Sequence, residues 1–147
     1  MVIHEVELTE EITKELIRLS EIWEKEDSCY GYRANGGEDI EGNRVFLAEE
    51  NGKVLGYLFG RICRSENMRS IMPDGTPFFE VEELFVLPSH RREGIGVSLF
   101  RHAEDTVRGE AQYTVLSTAT KNWQSVFRFY LDELDMSFWS ARLFKKL

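Results

Sequence analysis

From Leu84 through Phe85, Val86, Leu87, Pro88, Ser89, His90, Arg91, Arg92, Glu93, Gly94 and Ile95 to Gly96, the chain lays out the residue types needed to hold a diphosphate. An apolar strand ends at a proline, a basic pair follows, and two glycines spaced G-x-G open a helical pattern. Glycines let the backbone approach a ligand without interference from a Cβ. The first turn of the following helix offers unpaired N–H groups and the positive end of the helix dipole. Arg91 and Arg92 add mobile positive charge beside them. A G-x-G after a strand also opens helices for packing alone. Two other phosphate seats are excluded by pattern. A P-loop requires G-x-x-x-x-G-K-[ST], and neither that spacing nor its lysine is present. A dinucleotide fingerprint requires a third glycine, where Leu99 stands, and an early βαβ unit.

Metal chemistry has no comparable pattern. Cys29 and Cys63 lie far apart with no C-x-x-C or Cys/His spacing, which reads as two reduced structural thiols. His4, His90 and His102 fall in unrelated segments, so no metal is expected.

The elements that must position the loop follow from periodicity and turn residues. Val2 to Leu8 reads as a first strand. Thr9 caps a helix whose Ile12, Leu16, Leu19 and Trp23 fall on one stripe. Ser28 to Asn43, with Gly31, Gly36, Gly37 and Gly42, predicts a loop or weak short helix of the kind that lines binding sites. Arg44 to Glu50 and Lys53 to Cys63 flank Asn51-Gly52, the favoured hairpin turn. Arg64 to Thr76 should be an exposed connection and Pro77 to Leu87 a strand. Ile95 to about Gly109 predicts a helix burying Ile95, Leu99, Ala103 and Val107. Tyr113 to Ser117 reads as a short buried strand. Asn122 to about Glu133 reads as a helix apolar nearly all round and hence deeply buried. Ser137 to Phe144 reads as a final strand. The order β-α-loop-β-β-β-α-β-α-β predicts an α/β (α+β) fold whose mixed sheet is antiparallel first and parallel around the phosphate-loop helix.

At 147 residues, 42% hydrophobic and 30% charged, the chain reads as one domain, 1–147, able to bury its own core. A net charge of −8 argues against nucleic acid as a partner and suits cationic ones. The N-terminus has neither a basic n-region nor an apolar h-region, and no stretch reaches the roughly 18 apolar residues of a membrane helix. A cytoplasmic protein without a membrane partner is the expectation.

Arg91-x-x-Gly94-x-Gly96, preceded by Leu84-Phe85-Val86-Leu87-Pro88, resembles the acetyl-coenzyme A signature [QR]-x-x-G-x-[GA] of the GNAT superfamily of N-acetyltransferases. The β-β-β-α-β-α-β order is similar to that fold from its second strand onward. Phe129-Tyr130-Leu131-Asp132-Glu133-Leu134-Asp135-Met136 looks like its F-Y-x-x-x-[LG]-G-F element. Two positions depart from the pattern. Asp135 stands where the family usually has glycine, which implies a differently built turn, and Asn122 precedes Tyr130 by eight positions where seven is usual.

The resemblance implies a mixed, mostly antiparallel sheet flanked by helices, with a splayed pair of strands forming the acetyl-CoA cleft. Backbone N–H groups of Arg91, Arg92, Glu93, Gly94, Ile95 and Gly96 would cradle the pyrophosphate, and Leu84, Phe85 and Val86 would pair with the pantetheine arm as an added strand. An N–H near Phe85 would polarise the thioester carbonyl. Asn122, Ser125 and Tyr130 would line the coenzyme from the last helix. The implied reaction is direct attack of a primary amine on acetyl-CoA in a ternary complex, with no metal. An ammonium must first lose a proton. Glu82, nine positions before Arg91, is the favoured acceptor of that proton, with Glu83 and then Glu80 behind it. Successive strand residues face opposite sides, so only one of Glu82 and Glu83 should face the cleft. Tyr130 is the implied general acid, its phenol being matched to a departing thiolate.

The acceptor is less sharply marked. Val81 to Val86 and the ending Ala141 to Lys146 resemble diamine and polyamine acetyltransferases. Glu80, Glu82 and Glu83, with Glu38, Asp39 and Glu41 in the glycine-rich segment, suit a small cationic amine, polyamine-like or aminoglycoside-like. A protein or peptide amine is the alternative acceptor, and a non-catalytic acetyl-CoA sensor the alternative class. Late strands of such folds mediate pairing, so a homodimer is expected.

Overall fold

In the computed structural model, which describes residues 1–147, the chain forms β1 (Val2–Val6), α1 (Glu10–Glu26), α2 (Gly37–Ile40), β2 (Arg44–Glu50), β3 (Lys53–Arg64), β4 (Pro77–Val86), α3 (Ile95–Val107), β5 (Tyr113–Val115) and α4 (Trp123–Phe127). A 3₁₀ turn at Pro88–His90 links β4 to α3, and a π-helical stretch, Arg128–Glu133, continues α4. The sheet order is the chain order, β1-β2-β3-β4-β5. Neighbours are antiparallel except β4 and β5, which are parallel. This is the mixed sheet that the order of elements predicts.

Local chemistry explains the joints. Asn51 and Gly52 both take positive φ, 52° and 75°, as the tight hairpin turn requires. The Thr9 hydroxyl accepts the Ile12 N–H at 3.1 Å and closes the start of α1, and Asp27 in a left-handed conformation ends it. Leu16 and Leu19 of the predicted stripe are fully buried, as are Leu99 and Ala103 of α3. The connection Arg64 to Thr76 is largely exposed, yet Ser65 and Thr76 tie its ends together and Met72 is buried beneath it.

The two faces of the sheet take different helices. Phe46 packs edge-on against Phe79 and against His102 of α3, whereas Phe85 stacks on Trp23 of α1. Phe79 and Phe85 are six positions apart and would share a face under strict alternation. They do not, because β4 is bulged. Glu83 pairs with Phe59 and Val81 with Gly60, so Glu82 has no partner, and one inserted residue reverses the alternation. Gly60 opposite the bulge has no room for a side chain, since a Cβ there would lie 2.2 Å from the Glu80 carbonyl oxygen. Just before the bulge β4 also loses its other neighbour. It pairs with β5 only at Phe78, Phe79 and Glu80, so the strands splay from Val81 onward.

Three expectations fail toward the C-terminus. The buried strand expected over Tyr113 to Ser117 is only Tyr113–Val115 and is not buried, because β5 lies at the sheet edge with Tyr113 40% exposed. Ser137 to Phe144 forms no strand, and Leu143 and Phe144 are 91% and 80% exposed. A strand needs an edge to satisfy its backbone, and the three residues of β5 offer little edge. The helix from Asn122 to Glu133 is five α-helical residues followed by the π-helical stretch, and none of it is fully buried. Its aromatic residues pack on one another and on the C-terminal segment, Trp123 against Phe127 and Phe127 against Phe138. No helix is long and apolar enough to cross a membrane.

Candidate active site

The bulge in β4 turns two adjacent carboxylates toward one cavity. Glu82 and Glu83 both line a space of about 330 Å³, with Phe59 and Arg61 of β3 on the same wall. Asn35, Glu38, Asp39, Glu41 and Asn43, from the segment between α1 and β2, close the opposite side. Strict alternation predicts only one of Glu82 and Glu83 here, so that expectation is corrected by the inserted residue. Five carboxylates face one guanidinium, a balance that attracts a cation.

The two glutamates differ. Glu82 is exposed and lies 3.4 Å from Arg61. Glu83 is half-buried, and its Oε1 accepts three hydrogen bonds, from the Tyr57 hydroxyl at 2.8 Å, the Asn35 Nδ2 at 2.9 Å and the Tyr32 hydroxyl at 3.1 Å. Burial pushes the Glu83 carboxyl above its ordinary range, and those three donors pull it partly back. Burial likewise raises Glu80, with the charge of Glu82 adding to it. Tyr57 and Tyr32 are both raised, by burial first and by the charge of Glu83 next, so both remain protonated donors. Neither tyrosine, nor Asn35, is picked out by sequence pattern. Tyr57 lies in an apolar strand and reads as core. The usable signal is that a buried tyrosine hydroxyl must find an acceptor.

The predicted phosphate loop is exposed around a helix start. Gly94 takes φ +82°, with nothing within 4 Å of where a Cβ would stand. The first bond of α3 runs from the Ser98 N–H to the Gly94 carbonyl at 3.0 Å, which leaves the Ile95, Gly96 and Val97 N–H groups as open donors. A Cβ on Gly96 would come within 3.2 Å of the Phe129 ring. Arg92 and Glu93 are exposed, Arg92 with φ 66°, and Glu93 lies 3.4 Å from His90. Arg91, though exposed, is already engaged. Its guanidinium meets both Glu26 carboxylate oxygens at 2.7 Å, donates from Nε to the Val86 carbonyl at 2.9 Å, and lies over the Phe85 ring. It ties the end of α1 to the end of β4, and Glu26 offsets its charge. Leu84, Phe85 and Val86 keep β3 on one side and the splayed gap on the other. Open N–H donors beside an open strand edge fit a ligand with a diphosphate and an amide-bearing arm.

On the far side of the loop, Tyr130 packs edge-on against Phe100 and Phe129. Burial pushes its hydroxyl up to about 12, with a smaller contribution from Cys29. Asn122 is the exposed residue preceding α4, and Ser125 lies exposed within it. Asp135 takes φ 57°, so the left-handed turn after the last helix is kept without the glycine. No group of three or more His, Cys, Asp or Glu side chains is arranged to hold a metal ion.

A model of the acetyltransferase (GNAT) family matches residues 9–134. No curated protein sequence matches the chain. Among solved structures, the aminoglycoside N-acetyltransferase AAC(6')-Iy in complex with CoA is similar at 17% identity and a TM-score of 0.67, with 99% of this chain and 98% of that one covered. The aminoglycoside 6'-N-acetyltransferase AAC(6')-IG from Acinetobacter haemolyticus is similar at 16% identity and a TM-score of 0.68, over 100% and 98% of the two chains. A ribosomal-protein-alanine N-acetyltransferase from Brucella melitensis biovar Abortus 2308 is similar at 15% identity and a TM-score of 0.70, over 99% and 100%.

Proposed function

Since the chain belongs to the acetyltransferase (GNAT) family, we propose that it moves an acetyl group from acetyl-CoA to a primary amine of a small cationic molecule, polyamine-like or aminoglycoside-like. The observation that carries this reading is the acidic cavity of about 330 Å³ beside the splayed strands. Its walls carry more negative charge than any neutral acceptor would need.

When bound, acetyl-CoA supplies the acetyl group as a thioester. The open N–H groups of Ile95 and Gly96, with Arg92 beside them, bind its diphosphate, and Gly94 gives the backbone its approach. Arg91 acts by holding Val86 and the loop rather than as a free phosphate cation. Leu84 and Val86, whose backbone groups face away from β3, present the open edge, and an N–H there, next to Phe85, orients the carbonyl. Asn122 and Ser125 line the same ligand from α4. Glu82, paired to Arg61, holds the incoming ammonium. Glu83 takes its proton. The sequence ranks Glu82 first; Glu83 is preferred here because three hydrogen bonds fix its half-buried carboxylate, whereas Glu82 is exposed and paired with Arg61. Tyr130, held protonated by burial, is the proton donor to the leaving group. The exposed Trp139, Leu143 and Phe144 favour a homodimer, which sedimentation reads directly.

Free-thiol release from acetyl-CoA, measured with polyamines, aminoglycosides and lysine or N-terminal peptides, tests the reading. Turnover with the small cationic amines is the expected result. Tight acetyl-CoA binding with no turnover on any amine contradicts it.

A further inference from the structure

We propose that Tyr57, Tyr32 and Asn35 are positioning residues that occupy one oxygen of Glu83 and so present the other, Oε2, to the acceptor amine. This rests on the reading above, in which Glu83 is the proton acceptor. All three donors converge on Oε1, at 2.8, 3.1 and 2.9 Å. A carboxylate oxygen has about two lone-pair directions, so three donors saturate it.

None of the three belongs to β4, and each is itself held. Tyr57, on β3, is fully buried, with its ring stacked on Phe59 at 5.7 Å and tilted against Phe85 at 5.8 Å. The Tyr32 ring stacks on Trp23 of α1 at 4.2 Å. The Asn35 N–H donates to the Ser20 hydroxyl at 2.9 Å, and the neighbouring Ala34 N–H donates to Glu24 at 2.8 Å. Ser20, fully buried in α1, donates its own hydroxyl hydrogen bond to the Ile17 carbonyl at 2.7 Å. The donors are therefore oriented before any ligand arrives, and the connection after α1 is fastened to the carboxylate that the reaction uses.

The other titratable or charged groups facing Glu83 are Asp39 of α2 with Glu38 and Glu41 around it, Arg61 of β3 and Glu82 of β4. Asp39 pushes the Glu83 carboxyl up. Only the three donors pull it down, so they set how far into the neutral range it remains a base.

The experiment is a carboxyl-detected NMR titration of Glu83, paired with kcat/KM against pH for the best amine, in the wild type, Tyr57→Phe and Asn35→Ala. Tyr57→Phe keeps the ring and removes one donor, whereas Asn35→Ala acts from the connection and leaves the core intact. In both variants the Glu83 titration should move up by about one unit, and the acid limb of the rate profile should follow it. The loss of activity is then greatest at low pH, where a merely structural defect would depress the whole profile. A Glu83 titration unmoved in both variants overturns the clamp. A titration that moves while the acid limb stays put overturns Glu83 as the proton acceptor and leaves the clamp as packing. Loss of all turnover in the wild type, with the titration shift intact, strikes the proposed function alone.

Discussion

Glu83 is costly to the fold in the same feature that would serve the proposed reaction. Its folded carboxyl titrates above the ordinary value of 4.5 because burial disfavours the charge. The folded state therefore holds that proton more tightly than the unfolded chain does. Its contribution is most favourable below the ordinary carboxylate range and is lost as pH rises through the raised folded value. Glu83→Gln, which keeps an acceptor for the three donors and removes the charge, should raise the Tm, by more at pH 8 than at pH 5. The same change should lower kcat by about 10²-fold or more. Melting curves at the two pH values and steady-state rates check both halves, and an unchanged kcat removes Glu83 as the base. Tyr130 behaves oppositely, since a hydroxyl at about 12 stays protonated through the assay range. Tyr130→Phe should lower kcat by about tenfold or more without adding an alkaline limb near neutrality, a result read from the same rate profile. Both residue types are legible from sequence through the motifs that contain them. The order of Glu82 and Glu83 is not, because it depends on Phe59 and Gly60 on another strand.

Elements whose signals are local form as their residues require. The Asn51-Gly52 hairpin and the Leu99 and Ala103 face of α3 need only a turn conformation and a 3.6-residue period. The segments after Lys121 depend on what is free to pair with them, and there periodicity misleads. Ser137 to Phe144 reads as a strand but has no strand beside it, and the aromatic residues of α4 cover one another instead of entering the core. Asp135 shows how backbone geometry persists when its usual residue is missing. With φ 57° it carries a small strain that glycine would relieve, so Asp135→Gly should stabilise by up to about 1 kcal/mol in denaturant melts, less the added freedom of the unfolded chain. Gly94 is the converse case. Gly94→Asp forces a side chain into φ +82° and puts a negative charge beside the open N–H groups of α3. Acetyl-CoA binding by calorimetry should fall below detection, and wild-type affinity would remove the loop as the diphosphate seat.

In the whole molecule, the sheet has separate work on its two faces. α3 packs one face into a core around Phe46, Phe79 and Phe100, all fully buried to within 1%. The other face carries Trp23, Tyr32, Tyr57 and Phe85 around Glu83, so packing and the proposed chemistry meet there. A single inserted residue in β4 separates the two faces by reversing the alternation, and the splay from β5 opens the neighbouring edge. Five of the 26 acidic residues, Glu38, Asp39, Glu41, Glu82 and Glu83, converge on one cavity. Family membership supports acetyl-CoA as the proposed donor, and the acidic cavity supports the proposed acceptor. The most direct test is the ratio of kcat/KM for a polyamine or aminoglycoside to that for a lysine or N-terminal peptide, measured at one acetyl-CoA concentration. A preference of about tenfold or more for the small polycation is expected, and a ratio near unity or in favour of the peptide would contradict the account.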